Sequence, residues 1–362
     1  MHTNSDQVQL QAEVARQMAM FDDPVTEEPG GFLPPDGPYM ELFEFGELER
    51  KNKEIELRKT NTEMSEELVK LGQHMQESGP YRRLAMPDPF ALEQLEWAFP
   101  NFGEVFEYIN TMSRLAELND CINSRVPDFQ PMLLVGPPGT GKSYVAGQIA
   151  NALRTECHTL QMNTAQSNSA LSGSSSFWSN HQPGLVFRSL FYGQFGNPLL
   201  VLEELDKTGT GQEYNPGASL YQLLEKETAR EFSDLCYEWF AIDASRVTYV
   251  CTANDLDTIP APLQTRLKIF QIDAPVDEQS ARIISNIFAD LLRKQSSQLA
   301  GMDLDDRVIE MLIGQSPRIV RNTLLEGIGR SVCKGKLDQL APDCIRLPGT
   351  HQPGKRRIGF TF

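Results

Sequence analysis

The chain has 362 residues, 40% of them hydrophobic, which suits two or three soluble globular units. Its net charge of -16 counts against non-specific binding to phosphate backbones. No run approaches the ~20 apolar residues that cross a bilayer, and the six cysteines form neither a CxxC pair nor a metal-ligand spacing.

The N-terminus, MHTNSDQVQLQAEVARQ, is polar throughout and lacks the basic and apolar regions of a signal peptide. With scattered cysteines this gives a cytoplasmic expectation, with Cys157-His158 an ordinary reduced thiol beside a histidine. Residues 1–90 carry 18 acidic and 9 basic side chains, so more than half of the net charge lies there. Residues 1–40 are expected to be a flexible segment, because 24–38 (PVTEEPGGFLPPDGP) breaks both helix and strand.

A charged helical stretch is expected next, over 41–79. Leu57, Asn61, Met64, Leu68, Leu71 and Met75 repeat at steps of four and three, and Leu48, Asn52 and Ile55 fit a second phase. A coiled coil, a helix packed on a neighbour and a lone amphipathic helix all satisfy that pattern. Ser78-Gly79-Pro80 ends it.

From 84 to 275 strands and helices alternate. Apolar runs at 131–135, 159–163, 198–204, 247–253 and 269–273 read as strands, with a helix expected over 143–153. Such alternation implies an α/β fold with a parallel sheet covered on both faces. Beyond Pro275 the strands are expected to stop. Amphipathic patterns at 277–296, 305–314 and 317–333 predict a small helical domain over 276–346. The tail 347–362 carries Lys355-Arg356-Arg357, the one basic cluster, which reads as a solvated end.

Two segments carry chemistry. Gly136-Pro137-Pro138-Gly139-Thr140-Gly141-Lys142-Ser143 matches G-x-x-x-x-G-K-[ST] in full, between a predicted strand and a predicted helix. Its glycines let backbone N–H groups curl around phosphates, Lys142 supplies charge, and the Ser143 hydroxyl can ligate Mg²⁺. The helix that follows points its positive end at the same anion. The second segment, Leu199-Leu200-Val201-Leu202-Glu203-Glu204, ends an apolar strand in two carboxylates at the edge where open α/β sheets bind ligands. Together they predict ATP binding and hydrolysis with Mg²⁺.

From roughly Phe99 to Val332 the chain resembles the ATPase module of bacterial ATP-dependent Lon protease, an AAA+ P-loop NTPase with a helical lid. The resemblance runs through Asn197-Pro198 to Asp206-Lys207, Phe232-Ser233-Asp234, Thr252-Ala253-Asn254 and Ile259-Pro260-Ala261-Pro262-Leu263-Gln264-Thr265-Arg266. It implies that Glu204 is the catalytic glutamate that polarises water. Glu203 stands in the place of a metal-handling aspartate, a departure that lengthens the side chain by a methylene. Asn254 matches the sensor-1 residue and Arg266 the arginine finger that reaches a neighbouring subunit's ATP. Arg318 matches the sensor-2 arginine of the lid, with Arg321 as an alternative. An arginine acting in trans implies an oligomer, by analogy a homohexameric ring.

Residues 164–180 hold seven serines and end in Ser176-Phe177-Trp178-Ser179-Asn180. The resemblance places Trp178 on the aromatic pore loop of Lon-type motors, although Asn180 stands where Lon has glycine. The alternative is that both rings anchor their loop. Only 29 residues follow Cys333, so no peptidase domain is expected within them. The implied function is ATP-driven remodelling or translocation of a polypeptide, without proteolysis and away from membranes. A DNA-associated ATPase of a mobile-element, defence or repair system, or an ATP-dependent switch, are the alternatives.

Overall fold

A computed structural model describes residues 32–57, 63–163, 167–174, 182–208, 218–238, 240–295, 299 and 301–347. The N-terminal residues 1–31, Phe177-Trp178 and the basic tail lie outside them. The chain divides into two compact units, one made of 1–36 and 41–81, the other of 37–40 and 82–362.

In the first unit the expected single helical stretch is two helices, α1 (Phe45–Leu57) and α2 (Glu63–Ser78), packed on each other. Leu48 and Met75 are completely buried. Gly72 lets the helices approach closely: an added Cβ would sit 2.2 Å from Asn52 Oδ1. Asn52 Nδ2 donates to the Gly72 carbonyl at 3.4 Å, so one polar residue of the predicted seam faces backbone.

The second unit opens with α3 (Pro89–Ala98) and α4 (Gly103–Glu117). Asp88 caps α3 by accepting from Phe90 and Ala91 N–H, and Pro89 supplies the fixed first turn. The sheet follows as β1 (Met132–Val135), β2 (Cys157–Gln161), β3 (Leu199–Glu203), β4 (Thr248–Ala253) and β5 (Lys268–Gln271). The strand order is β2-β3-β4-β1-β5, and every pairing is parallel. Strands β1 and β4 are buried at every position, as expected of central parallel strands covered on both faces. Met132, Leu134, Val201, Val250 and Phe270 pack on Phe106, Ile109 and Ile149 to form the main core. Helix α5 (Lys142–Ala152) runs directly from β1, and its Val145, Ala146 and Ile149 belong to that core. The apolar run expected at 159–163 forms its strand two residues earlier.

Beyond β5, α9 (Asp277–Arg293), α10 (Asp306–Leu312) and α11 (Pro317–Cys333) enclose a second core of Ile284, Phe288, Leu291, Val308, Leu324 and Ile328. (The short helices α6, Ser167–Ser172, α7, Leu185–Phe191, and α8, Ala218–Leu223, precede them in the chain.) The expectation that strands stop at Pro275 is corrected here. Residues Asp303–Leu304 and Gln339–Leu340 pair in parallel and tie the end of the lid to its middle. A two-residue ladder leaves no alternation for a sequence pattern to reveal.

Asp234 is completely buried, and its carboxylate accepts from Gly184 N–H and Cys236 N–H, both at 2.8 Å. A β-carbon at Gly173 would collide with the same carboxylate, so Asp234 binds one described flank of the segment that contains Phe177-Trp178 and packs closely on the other. Burial pushes its carboxyl up from 3.8 to about 6, outweighing the two N–H donors and nearby Arg188. Between those values the folded chain keeps a proton that the unfolded chain has lost. The contribution of Asp234 to stability therefore falls as pH rises through that window and is level above it. Asp234→Asn is expected to abolish this share of the slope, which denaturant midpoints of parent and variant at about pH 4 to 7 would measure. Identical slopes would show that Asp234 does not titrate there.

Candidate nucleotide-binding site

The turn from β1 into α5 has a backbone that only glycine accommodates. Gly139 and Gly141 adopt φ of +86° and +97°, in the left-handed region. Gly136 is required by contact instead, since a Cβ there would meet Ile272 O at 2.0 Å. The loop leaves the N-terminal N–H groups of α5 facing outward, the arrangement that binds anions.

Lys142 is only 7% exposed. Its Nζ donates to Gly136 O at 2.6 Å, Pro137 O at 2.9 Å and Asn254 Oδ1 at 3.2 Å. None of these partners is charged. Burial lowers the lysine pKa, and the negative field of Asp206 opposes that shift. Asp206 is itself buried, with no hydrogen bond to either carboxylate oxygen among the described residues and Lys207 Nζ 3.8 Å away. A cation held by carbonyl groups inside a glycine cradle fits a polyphosphate.

At the end of β3, Glu204 sits in the left-handed region at φ 58° and ψ 47°, one of two described non-glycine residues with positive φ. That conformation costs roughly 1–2 kcal/mol for an L-residue and turns the chain sharply out of the strand. Asn163 Nδ2 donates to Glu204 Oε2 at 2.7 Å, and Gln161 Nε2 donates to Glu203 Oε2. Both contacts follow from the parallel register that sets Gln161 opposite Glu203.

A cavity of about 1170 Å³ lies between the sheet edge and the lid, and Pro138 through Ser143, Glu203, Glu204 and Asn254 line it. Its lid wall carries Arg318, on the first turn of α11, and Arg321, at the start of the second; Ser316 is the N-cap of that helix. An apolar end is built from Phe99, Tyr144, Ile283 and Ile287, with the Phe99 and Tyr144 rings 5.8 Å apart. Phosphate-sized charge fits one end and a flat aromatic base the other. Ser143 and Glu203, the residues expected to meet a divalent ion, both line this cavity. The structure thus brings the predicted site residues together except for three that lie outside this lining: Arg266, and Gly136 and Pro137, whose carbonyls instead accept from Lys142 Nζ. Gln161, Asn163 and Asp206 were not predicted. The first two sit at the end of a predicted strand, but their partners are some forty residues away, and only strand register joins them.

Residues 132–277 match the family described as "ATPase family associated with various cellular activities (AAA)". The Lon protease of Campylobacter jejuni is 30% identical over 188 residues, covering 52% of this chain and 24% of that protein. The mitochondrial Lon protease homolog of Eremothecium gossypii is 34% identical over 157 residues, covering 43% and 15%. Each match therefore spans a quarter or less of its relative. A chain of the S. cerevisiae Hsp104:casein complex shares the fold, with a TM-score of 0.51 at 12% identity, covering 69% of this chain and 48% of that one. The parallel sheet, the glycine cradle and these matches agree: the chain carries an AAA ATPase module that resembles the module of Lon protease.

Proposed function

We propose that the chain hydrolyses ATP with Mg²⁺ and uses the energy to remodel or translocate a polypeptide, as a homohexameric ring. The observation that carries hydrolysis is convergence. Lys142, Asn254 and the Glu204 carboxylate approach one cavity from three elements, and Arg318 and Arg321 close its opposite wall. In this reading Lys142 binds the β- and γ-phosphates, and the loop from Gly136 to Ser143 supplies the N–H groups around them. Glu204 orients and polarises water, while Asn254 links that region to Lys142. Mg²⁺, held by Ser143 and Glu203, would neutralise phosphate charge. Arg318 contacts the nucleotide from the lid, and Arg266 acts on the nucleotide of the next subunit.

Polypeptide as the substrate class rests on the resemblance to Lon protease, whose name records action on proteins. An unfolded protein is expected to raise the ATPase rate of the full chain. Trp178→Ala is expected to remove that rise and leave basal hydrolysis near the parental value. Indifference to every unfolded protein tried, or ATP-dependent DNA binding that weakens with salt, would overturn the polypeptide reading.

A further inference from the structure

Arg266 follows the short helix Ala261–Gln264, and although 27% of its side chain is exposed, it does not swing freely. Three groups hold it. Its Nε lies 3.0 Å from Glu225 Oε1, its Nη1 donates to Pro262 O at 2.7 Å, and its guanidinium carbon stands 5.5 Å from the centre of the Tyr221 ring. Tyr221 comes from α8, and Glu225 immediately precedes the short helix Lys226–Ala229 that follows.

A guanidinium has five N–H donors in a fixed fork. Glu225 lies against the Nε edge as an ion-pair partner, without a hydrogen bond there, and Pro262 O accepts from one donor of Nη1. Nη2 and the remaining Nη1 proton meet no hydrogen-bond partner among the described residues. The side chain is thus fixed at its stem and on one face, while the far end of the fork stays open to an anion. A single carboxylate at 3.0 Å, half-exposed to water, leaves most of the cationic charge at that open end.

We infer that Glu225 and Tyr221 are positioning residues for Arg266, holding its guanidinium so that the open end meets the phosphates bound by an adjoining subunit. This rests on the reading that Arg266 acts in trans. An unheld arginine would have to freeze several rotors on each turnover, and the Glu225–Tyr221 clamp removes that step in advance. The clamp also joins Arg266 to α8, so motion of that helix changes the reach of the arginine.

The test is hydrolysis by variants alone and in mixed assemblies with Lys142→Ala, which contributes an intact Arg266 but no nucleotide site of its own. Glu225→Ala is expected to lower kcat about tenfold, most of the freedom of one long side chain, and to change KM by less than about twofold. Glu225→Gln keeps the length and polar end of the side chain beside Nε but not its charge, and should recover only part of the rate. Tyr221→Phe keeps the ring and should match the parent, whereas Tyr221→Ala should fall with Glu225→Ala. Excess Lys142→Ala subunits should restore turnover at the Glu225→Ala sites, because the defect lies in what each subunit offers its neighbour. Arg266→Ala, treated the same way, tests the underlying reading. If Arg266→Ala is not restored, action in trans falls and this inference with it. If Arg266→Ala is restored while Glu225→Ala hydrolyses at or above the parental rate, or is not restored, the clamp alone is wrong. Should Glu225→Ala fail to bind ATP, the two Tyr221 variants decide: a parental rate in Tyr221→Phe with loss in Tyr221→Ala supports the clamp, and no loss in Tyr221→Ala overturns it.

Discussion

Glutamine in place of Glu204 is expected to lower kcat by about 10²–10⁴, the usual worth of a positioned proton acceptor, while ATP binds as in the parent. The exchange is close to isosteric. It keeps the Cβ that the left-handed backbone already tolerates, and an amide oxygen can still accept the hydrogen bond from Asn163. What it removes is negative charge and basicity at one point of the cavity wall. Binding should survive because Lys142, the glycine cradle and the lid arginines are untouched. Steady-state hydrolysis and titration with a fluorescent nucleotide separate the two effects. Parental turnover would take Glu204 out of the chemistry. Unaltered binding with arrested turnover would also provide a trapped form with which to test for the proposed polypeptide substrate.

Lys142→Ala is expected to abolish measurable nucleotide binding, weakening it by roughly 10²-fold or more, as the loss of charge-assisted contacts to phosphate implies. Its effect on stability should be small. Nζ is buried among neutral acceptors, and burial already lowers its pKa, so removal relieves a desolvation cost as well as deleting three hydrogen bonds. A thermal midpoint within a few degrees of the parent, combined with lost binding, would locate the defect at the phosphate site. Retained affinity would mean that the cradle binds through backbone N–H groups alone.

The legible parts of this molecule were those whose physics is local. The P-loop is eight consecutive residues, and β1, β3 and β4 are apolar runs because central strands are buried on both faces. The edge strand β2 alternates between exposed and half-buried positions, so its apolar signal is weak, and the expectation slid toward Met162. Asn163 carries no local mark of its contact with Glu204, which lies 41 positions along the chain and exists only through parallel register. The same holds for Glu225 and Arg266. Their ion pair joins two elements that the pattern of hydrophobic residues orders but does not orient. The helical stretch before the sheet was legible in composition, yet its reversal into α1 and α2 was not, because the heptad-like spacing suits a partner from the same chain as well as any other.

The glycine cradle has one further consequence. A β-carbon added at Gly136 would meet Ile272 O, just before the lid begins, and one added at Gly139 would meet Ser316, the residue that caps α11. The phosphate loop therefore touches the lid at its root and at its working helix, each time through a position without a β-carbon. In mechanical terms these are two bearings with no clearance. Neither position has room for a β-carbon, so loop and lid are in close contact there. Alanine at either position would have to push loop and lid apart, and at Gly139 it would also strain the left-handed backbone of the cradle, so nucleotide affinity is expected to fall with it.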